Sequence, residues 1–235
     1  MEERIQKILS SRGMASRRAA EEWIRQGRVR VNGSTACLGD SADPVKDVIE
    51  VDGVPLPRAP EYVYILLNKP RGFVTTAVDP QGRRTVLELV ADCGTRVYPV
   101  GRLDLFSEGL LLLTNDGALA NHMTHPSGCV RKVYHVWVSG YRDGAVRRLS
   151  EPIQLDGRRI RRPLVRLLSE NECVAMLEIT IFEGRNRQIR RMCEHAGLKV
   201  TRLKRVQEGG LMLGTLPVGK WRYLTQAECA ALKAD

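Results

Sequence analysis

The sequence has no long apolar run. No stretch of about 18 consecutive apolar residues occurs, so no segment is predicted to span a membrane. Residues 1–13 are charged and polar, where a secretion signal would need an apolar stretch. We therefore expect a cytoplasmic protein.

Patterns of metal and nucleotide sites are also lacking. The six cysteines are scattered without a CxxC pair, which argues against a structural zinc site and against a disulfide framework. His122 and His125 are three residues apart, but no third ligand is evident nearby. No Gly-rich nucleotide loop is present. We expect reduced cysteines, no bound metal and no cofactor.

Positive charge, in contrast, is abundant. Lys and Arg total 37 against 27 Asp and Glu, which gives a net charge of +10 and a pI of about 9.6. Such a balance favours a polyanionic partner, most commonly nucleic acid, although a merely soluble basic surface is the simpler alternative. The charge is clustered, with eight Lys/Arg in residues 4–30 and ten in residues 185–222.

The chain is predicted to have two unequal parts. Ser16 can cap a short helix, Gly27 can end it, and Asn32-Gly33 favours a tight hairpin turn. Three prolines in residues 55–60 form the expected linker. We predict domains at 1–58 and 59–235. The fold class is α+β, in which a small N-terminal α/β module precedes a domain built on a mixed, largely antiparallel sheet.

From residue 62 onward, β-branched and apolar runs predict most of the strands. Leu110 to Leu113 is continuously apolar, so both faces of that strand are expected to be buried. Strands are predicted at 62–68, 109–114, 132–139 and 173–182, and helices at 86–90, 118–123, 142–149 and 187–196.

Two groups of residues could carry function. Arg17, Arg18 and Arg28 belong to the first part, and arginine forks of this kind pair bidentately with phosphates; a solvated helix face is the alternative. Asp104 lies in a Gly-flanked loop next to Arg102. From the residues alone it can be an ordinary turn residue or a carboxylate presented for chemistry.

The first part resembles the small RNA-binding module first known from ribosomal protein S4. The likeness rests on Arg4-Ile-Gln-Lys-Ile-Leu, Gly13-Met-Ala-Ser-Arg-Arg-Ala-Ala and Gly27-Arg-Val-Arg-Val-Asn-Gly. This resemblance implies RNA binding and by itself implies no catalysis.

The second part resembles the pseudouridine synthases, specifically the RsuA/RluB group that modifies ribosomal RNA. The segment Tyr98-Pro-Val-Gly-Arg-Leu-Asp-Leu-Phe-Ser-Glu-Gly-Leu-Leu-Leu-Leu-Thr-Asn-Asp-Gly117 is similar to their catalytic motif. Further matches in the same order are Leu66-Leu-Asn-Lys-Pro-Arg-Gly72, Lys132-Val-Tyr134, Glu183-Gly-Arg-Asn-Arg-Gln-Ile-Arg-Arg-Met192, Val200-Thr-Arg-Leu-Lys-Arg205 and Leu216-Pro-Val-Gly-Lys-Trp-Arg-Tyr-Leu-Thr225. Ser107 departs from the threonine of many relatives but keeps a hydroxyl.

The resemblance implies roles for individual residues. Asp104 matches the essential aspartate, Tyr134 the tyrosine that packs against the target base, and Arg190 the basic residue that pairs with the aspartate. Leu203 matches a wall of the uridine pocket, and Arg102 would fill the gap left by a flipped base. We further expect Arg17, Arg18, Arg28 and Arg205 to bind RNA.

The function expected from this resemblance is isomerisation of a uridine in ribosomal RNA. An ionised carboxylate suits the reaction as nucleophile or as base, and no redox step or group transfer calls for a cofactor. Lys69-Pro-Arg-Gly and Lys204-Arg205 look closer to enzymes of 23S than of 16S rRNA. The expected partner is rRNA or a ribosomal assembly intermediate, and the expected state is a monomer. A non-catalytic rRNA-binding assembly factor is the main alternative, although Asp104, Tyr134 and Arg190 together favour the enzyme. A tRNA-ligating enzyme is disfavoured because no ATP-binding signature is visible.

Overall fold

The computed structural model describes residues 1–125 and 128–234, and of residues 233 and 234 only the backbone. The chain divides into two compact units, Met1–Tyr62 and Val63–Asp235. The dividing point lies four residues after the domain boundary predicted at 58/59. Within the described residues, no helix is long and apolar enough to cross a bilayer.

The first unit combines two short helices with short strands. Helix α2 begins as the sequence predicts, because Ser16 accepts a hydrogen bond from the Ala19 amide at 3.1 Å. Gly27, with φ +69°, ends it in the left-handed conformation. The helices are α1 (Ile5–Ser11) and α2 (Arg17–Arg25), and the strands are β1 (Glu3–Arg4), β2 (Val29–Val31), β3 (Ser34–Thr35), β4 (Ser41–Ala42), β5 (Ile49–Val51) and β6 (Val54–Pro55).

The strands of the first unit pair in two small sheets. One has the order β3-β2-β5-β6 and the other pairs β1 with β4. The turn between β2 and β3 is the predicted Asn32-Gly33 hairpin, with φ +50° and +82°, as a type I′ turn requires. Residues from both helices and from β2 and β5 form one apolar core: Ile5, Ile8, Leu9, Ala15, Ala20, Ile24, Val29, Ala36, Ala42, Ile49 and Val51.

The second unit is built on one nine-stranded sheet. Its order is β13-β14-β10-β15-β9-β7-β17, with β8 paired to β9 and β16 to β15. All of its pairings are antiparallel except that of β9 with β15, so the predicted mixed, largely antiparallel sheet is confirmed. The strands are β7 (Tyr64–Lys69), β8 (Tyr98–Pro99), β9 (Glu108–Thr114), β10 (Lys132–Ser139), β13 (Leu164–Glu170), β14 (Ala175–Ile181), β15 (Lys199–Glu208), β16 (Leu211–Met212) and β17 (Trp221–Tyr223).

Both faces of the central strands are buried. Leu111 and Leu113 of β9 pack into one apolar core and Leu110 and Leu112 into another, as alternation along a strand dictates. All four leucines have no exposed surface. The prediction drawn from this continuously apolar run is therefore confirmed.

The remaining elements of the second unit are short. A 3-10 helix spans Val86–Cys93, and a two-stranded hairpin joins β11 (Gln154–Leu155) to β12 (Arg158–Arg159). The α-helices are α3 (Gly117–Thr124), α4 (Ala145–Leu149), α5 (Gln188–His195) and α6 (Gln226–Ala234). The helix predicted at 142–149 is shorter than expected, because Gly144 takes a left-handed φ of +81° at its N-cap.

One tight crossing shapes the sheet next to the loop that contains Asp104. Gly109 of β9 faces Arg205 of β15 in the single parallel pairing, and its φ is +104°. A β-carbon at this position would overlap the backbone of Arg205. Only glycine allows the two strands to approach this closely.

Candidate active site

A cavity of about 520 Å³ lies beside the loop that connects β8 to β9. Tyr134 of β10 and Leu203 of β15 line it from the central sheet, and both are almost fully buried. The other lining residues belong to the segments 74–80, 101–107 and 184–189, together with Ile181. The volume is in the range of small-molecule sites.

Asp104 lies in the β8–β9 loop and lines this cavity. It is half-buried. Its backbone carbonyl accepts hydrogen bonds from the Ser107 amide at 3.0 Å and from the Lys69 ammonium at 3.2 Å. Its carboxylate, in contrast, has no hydrogen-bond or ion-pair partner in residues 1–125 and 128–234. The loop is thus held through its main chain, and the carboxylate stays available to a bound molecule.

Lys69 is the main anchor of this loop. It ends strand β7, has no exposed surface, and donates to the carbonyls of Pro70, Asp104 and Ser107 at 3.1, 3.2 and 2.9 Å. Burial lowers the pKa of Lys69 to about 8, and the carboxylates of Asp104 and Glu108 oppose this shift. The ammonium satisfies three carbonyls that the irregular backbone leaves without a partner in the sheet.

Two further contacts hold the other side of the loop. The Thr75 hydroxyl donates to the Leu103 carbonyl at 2.7 Å and accepts from the Leu103 amide at 3.3 Å. The Gly72 amide donates to the Leu105 carbonyl at 2.8 Å. Thr75, like Lys69, is buried, so its two bonds to Leu103 are shielded from water.

Arg190 approaches the same loop from helix α5 but does not form the expected ion pair with Asp104. Its guanidinium donates to the carbonyl of Phe106 at 3.2 Å and to that of Val200 at 3.5 Å. Its Nε is buried without a partner in the described part of the chain. Burial and the neighbouring Arg187 lower the pKa of Arg190, while the charge of Asp104 raises it. The expectation of a direct pair is corrected: Arg190 binds the backbone of the Asp104 loop and leaves one donor unused.

Tyr134 is backed by a buried ion pair. Across the strands β10 and β15 it faces Arg205, whose guanidinium contacts Glu208 at 3.1 Å and donates from Nε to the Leu110 carbonyl at 2.8 Å. Burial raises the pKa of Tyr134, and the charge of Arg205 acts in the opposite direction. Although burial acts to lower it, the pKa of Arg205 is raised, because Glu208 stabilises its charge.

The predicted RNA-binding role of Arg205 is therefore wrong. Arg205 is only 1% exposed, so its guanidinium offers no surface to a phosphate. Arg205 and Leu203 are two residues apart on β15, so both side chains point to the same, inward face of the sheet. Glu208 supplies the counter-charge. A buried guanidinium that has a carboxylate and a carbonyl as partners is a structural element of the core.

The other predicted RNA-binding arginines differ in how far the protein itself engages them. Arg102 is exposed and lines the cavity, and its side chain has no partner within the described residues. In the first unit, Arg17 and Arg18 are exposed at the start of α2 and are likewise free in that part of the chain. Arg28 is engaged instead: it binds Asp52 through two nitrogens and lies 4.9 Å from the Trp23 ring.

The residues that sequence reasoning missed are mostly those that hold the loop. No role was assigned to Lys69, Thr75 or Glu208. For Lys69 a signal exists, because it directly follows the strand predicted at 62–68, which contains the apolar run Ile65 to Leu67, and it precedes a proline. For Thr75 and Glu208 we find no comparable signal in the sequence.

Comparison with known proteins identifies the class. A family model described as "RNA pseudouridylate synthase" matches residues 63–195, and the S4 domain model matches residues 3–37. The chain therefore belongs to the RNA pseudouridine synthases, which are isomerases, and it carries an N-terminal S4 domain.

Individual relatives are similar over almost the whole chain. A protein of Aquifex aeolicus described as an uncharacterized RNA pseudouridine synthase is 44% identical over 99% of this chain and 94% of its own length. The "Ribosomal large subunit pseudouridine synthase B" of Bacillus subtilis is 41% identical over 99% of this chain and 96% of its own. Among solved structures, a pseudouridylate synthase aligns with a TM-score of 0.68 at 29% identity, covering 97% of this chain and 99% of that one.

Proposed function

We propose that this enzyme converts one specific uridine of 23S ribosomal RNA to pseudouridine, with Asp104 as the catalytic carboxylate. The observation that carries the assignment is the carboxylate of Asp104, which has no partner among the residues that the structure describes and lies in the wall of a cavity lined also by Tyr134 and Leu203. The choice of 23S rRNA is supported by the large-subunit synthases of Bacillus subtilis and Vibrio cholerae, both 41% identical to this chain. The S4 domain supports RNA binding.

In the proposed reaction the target base leaves its stack and enters the cavity. Unstacking costs a few kcal/mol, and the face of Tyr134 and the side chain of Leu203 replace part of the lost contact. Arg102, exposed at the cavity, is placed to occupy the space that the base vacates. These contacts need no sequence-specific readout at the reacting base.

The isomerisation breaks the bond between N1 and the ribose C1′, turns the base, and joins C1′ to C5. Charge develops on the sugar or on the base during this exchange, and an ionised carboxylate can meet it as nucleophile or as base. C5 then gives up its proton to solvent as the new bond matures, and N1 takes up a proton in its place. Atoms and electrons balance within the nucleotide, so the reaction consumes no second substrate.

Arg190 supports this chemistry through the loop. Its bond to the Phe106 carbonyl fixes the loop two residues after Asp104, and its unused Nε donor lies in a half-buried site. A guanidinium there favours the ionised form of a nearby carboxylate. We therefore treat Arg190 as a residue that positions Asp104.

The decisive experiment replaces Asp104 by Asn and measures tritium release from rRNA labelled at C5 of uridine. We expect turnover to vanish while RNA affinity stays near that of the wild type, because the shape of the side chain is kept and its charge is lost. Asp79→Asn is the matched control: Asp79 lines the same cavity, but Arg83 already engages its carboxylate at 2.7 Å, so measurable turnover should remain.

Two outcomes would contradict the proposal. Substantial tritium release by Asp104→Asn would remove Asp104 from its role. If the wild-type enzyme binds rRNA tightly but releases no tritium, the chain is a binding factor for ribosome assembly. Mapping pseudouridines in the rRNA of a strain that lacks this gene would identify the modified position and would show whether it lies in 23S rRNA.

A further inference from the structure

A second cavity lies in the catalytic unit, outside the Asp104 site. Its volume is about 700 Å³, and it is formed between the end of helix α4 and the β11–β12 hairpin with the residues that follow it. We call it the arginine groove. Its lining residues are Arg147, Ser150, Glu151, Pro152, Arg159, Ile160 and Arg162.

The groove has positive charge that the protein itself does not neutralise. Arg147, Arg159 and Arg162 are exposed, and within residues 1–125 and 128–234 their guanidiniums form no hydrogen bond or ion pair. Glu151 is the one acidic side chain in the lining. Arg222 of the same unit, in contrast, is bound to Glu228 at 2.6 Å. The free guanidiniums of the groove are therefore available to an external anion.

The hairpin that carries Arg159 and leads to Arg162 is fixed to the protein. Its turn, Asp156-Gly157, has φ values of +52° and +71°, which match a type I′ hairpin. Arg191 of helix α5 binds both carboxylate oxygens of Asp156 at 2.9 Å. The groove is thus held in place before any ligand arrives.

The same contacts connect the groove to the wall of the catalytic cavity. Arg185 donates to the Leu155 carbonyl at 3.3 Å, and the Arg161 amide donates to Glu183 at 3.1 Å. Arg185 itself lines the catalytic cavity, and Gln188, which lines it too, donates to the same carboxylate oxygen of Glu183. One short segment, 183–188, therefore holds the hairpin on one side and borders the Asp104 cavity on the other.

We infer that the arginine groove binds backbone phosphates of the substrate RNA that flank the target nucleotide. Arginine forks match the geometry of phosphodiesters, and the free guanidiniums outnumber the single carboxylate. An RNA strand whose uridine occupies the Asp104 cavity continues on either side of it. The segment 183–188 borders that cavity and also contacts Leu155 and Arg161, which belong to the same stretch of chain as the groove. The inference rests on the proposed function, since it takes the nucleotide in the Asp104 cavity to be part of a longer RNA.

The test uses the full chain and transcribed 23S rRNA fragments that the wild-type enzyme modifies. In the variant Arg159→Gln/Arg162→Gln, the slope of log Kd against log salt should fall by about one unit or somewhat less for each lost phosphate contact. The single-turnover rate at saturating RNA should stay near the wild-type rate, because the contact is equal in the ground and transition states. Thermal melting should also be unchanged, since both side chains are exposed and unpaired.

Lys220→Gln is the matched control. Lys220 is exposed and immediately precedes β17, at the opposite edge of the sheet from β13, which packs against α4. Its removal should leave the salt slope unchanged. A second check shortens the RNA: the difference between the wild type and the Arg159→Gln/Arg162→Gln variant should disappear once the strand no longer reaches the groove.

The results separate the two levels of the proposal. If the variant has the salt slope of the wild type, or if Lys220→Gln lowers the slope equally, the groove does not bind RNA phosphates. If millimolar inorganic phosphate competes at the groove but RNA length has no effect, the groove is a site for a free anion and the inference is overturned. If the wild type forms no pseudouridine in any 23S fragment, the proposed function fails, and the groove is then judged by the salt slopes alone.

Discussion

The buried ammonium of Lys69 offers the sharpest test of how the Asp104 loop is held. Replacing Lys69 by Met keeps the length of the side chain but removes its charge and its donors. Three carbonyls, those of Pro70, Asp104 and Ser107, then lose a hydrogen-bond partner. We expect both the stability of the catalytic unit and the rate of the reaction to fall.

The size of the stability loss follows from two opposing contributions. A hydrogen bond to a charged group contributes about 1.5–3 kcal/mol, so three such bonds are worth several kcal/mol in total. Burial of the charge counts against them, since a pKa lowered from 10.5 to about 8 corresponds to roughly 3 kcal/mol. The net effect of Lys69→Met at neutral pH is therefore a decrease of roughly 2–5 kcal/mol in the free energy of unfolding.

The lowered pKa of Lys69 also makes the free energy of unfolding of the wild type depend on pH in a way that the variant should not. Between pH 8 and 10.5 the unfolded chain keeps its proton on this lysine while the folded chain has released it. The unfolded state thus binds more protons, and the free energy of unfolding rises with pH across this window, by at most roughly 3 kcal/mol from this residue. Below pH 8 both states are protonated, and the contribution no longer changes. Lys69→Met should lack this rise.

Urea unfolding followed by tryptophan fluorescence at pH 7.5 and pH 10 measures both effects, with Lys220→Met as the exposed control. Single-turnover tritium release at saturating RNA measures the effect on the Asp104 loop. We expect the rate of the reaction to fall more than the affinity for RNA. If Lys69→Met is within about 0.5 kcal/mol of the wild type at pH 7.5, the size of a typical surface substitution, the reasoning about the three carbonyls is wrong. If it shows the same pH rise as the wild type, the assignment of that rise to Lys69 is wrong.

Three other experiments test separate parts of the structure. Gly109→Ala should be less stable in thermal melts than Gly219→Ala by roughly 2–4 kcal/mol, because both glycines have positive φ but only at Gly109 does a methyl group meet the Arg205 backbone. Equal losses of stability would contradict the tight crossing. Arg17→Gln/Arg18→Gln should lower the salt slope of rRNA binding by about 0.7–0.9 per lost contact without changing the saturated rate, and Arg28→Gln should change it less, because Asp52 already binds Arg28. Arg190→Ala should lower the saturated rate and leave the salt slope almost unchanged; a large drop in slope with an intact rate would make Arg190 a phosphate ligand.

Local signals in the sequence predicted the local structure well. The Ser16 cap, the Asn32-Gly33 turn and the apolar strand around Leu110 depend on neighbouring residues, and each formed as predicted. Asp104 was selected by its motif, and the structure places it in a cavity with Tyr134 and Leu203. Whether these residues carry out catalysis stays a prediction until the Asp104 variant is measured.

Strand β15 was missed because its pattern is ambiguous without the rest of the fold. Exposed Arg202 and half-buried Lys204 alternate with buried Leu203 and Arg205, so the inward face contains a charge where a strand pattern calls for an apolar side chain. The charge is tolerated only because Glu208 and the Leu110 carbonyl meet it. Those partners come from tertiary packing, which a local pattern does not record. The direct ion pair expected between Arg190 and Asp104 was wrong for a related reason, since loop carbonyls compete for the same donors.

Buried and exposed cations have different tasks around the catalytic cavity. Lys69 and Arg205 lie in the core, where they bind main-chain carbonyls and, for Arg205, a carboxylate; they fix the Asp104 loop and the strands that carry Tyr134. Arg102 and Arg187 line the cavity from exposed positions, where we propose that they meet an incoming nucleotide. Buried charges within strands depart from local sequence rules, and such departures are expected near functional sites. Counting basic residues therefore overstates the surface available to RNA, because the most buried cations of the site are used to hold the protein's own backbone.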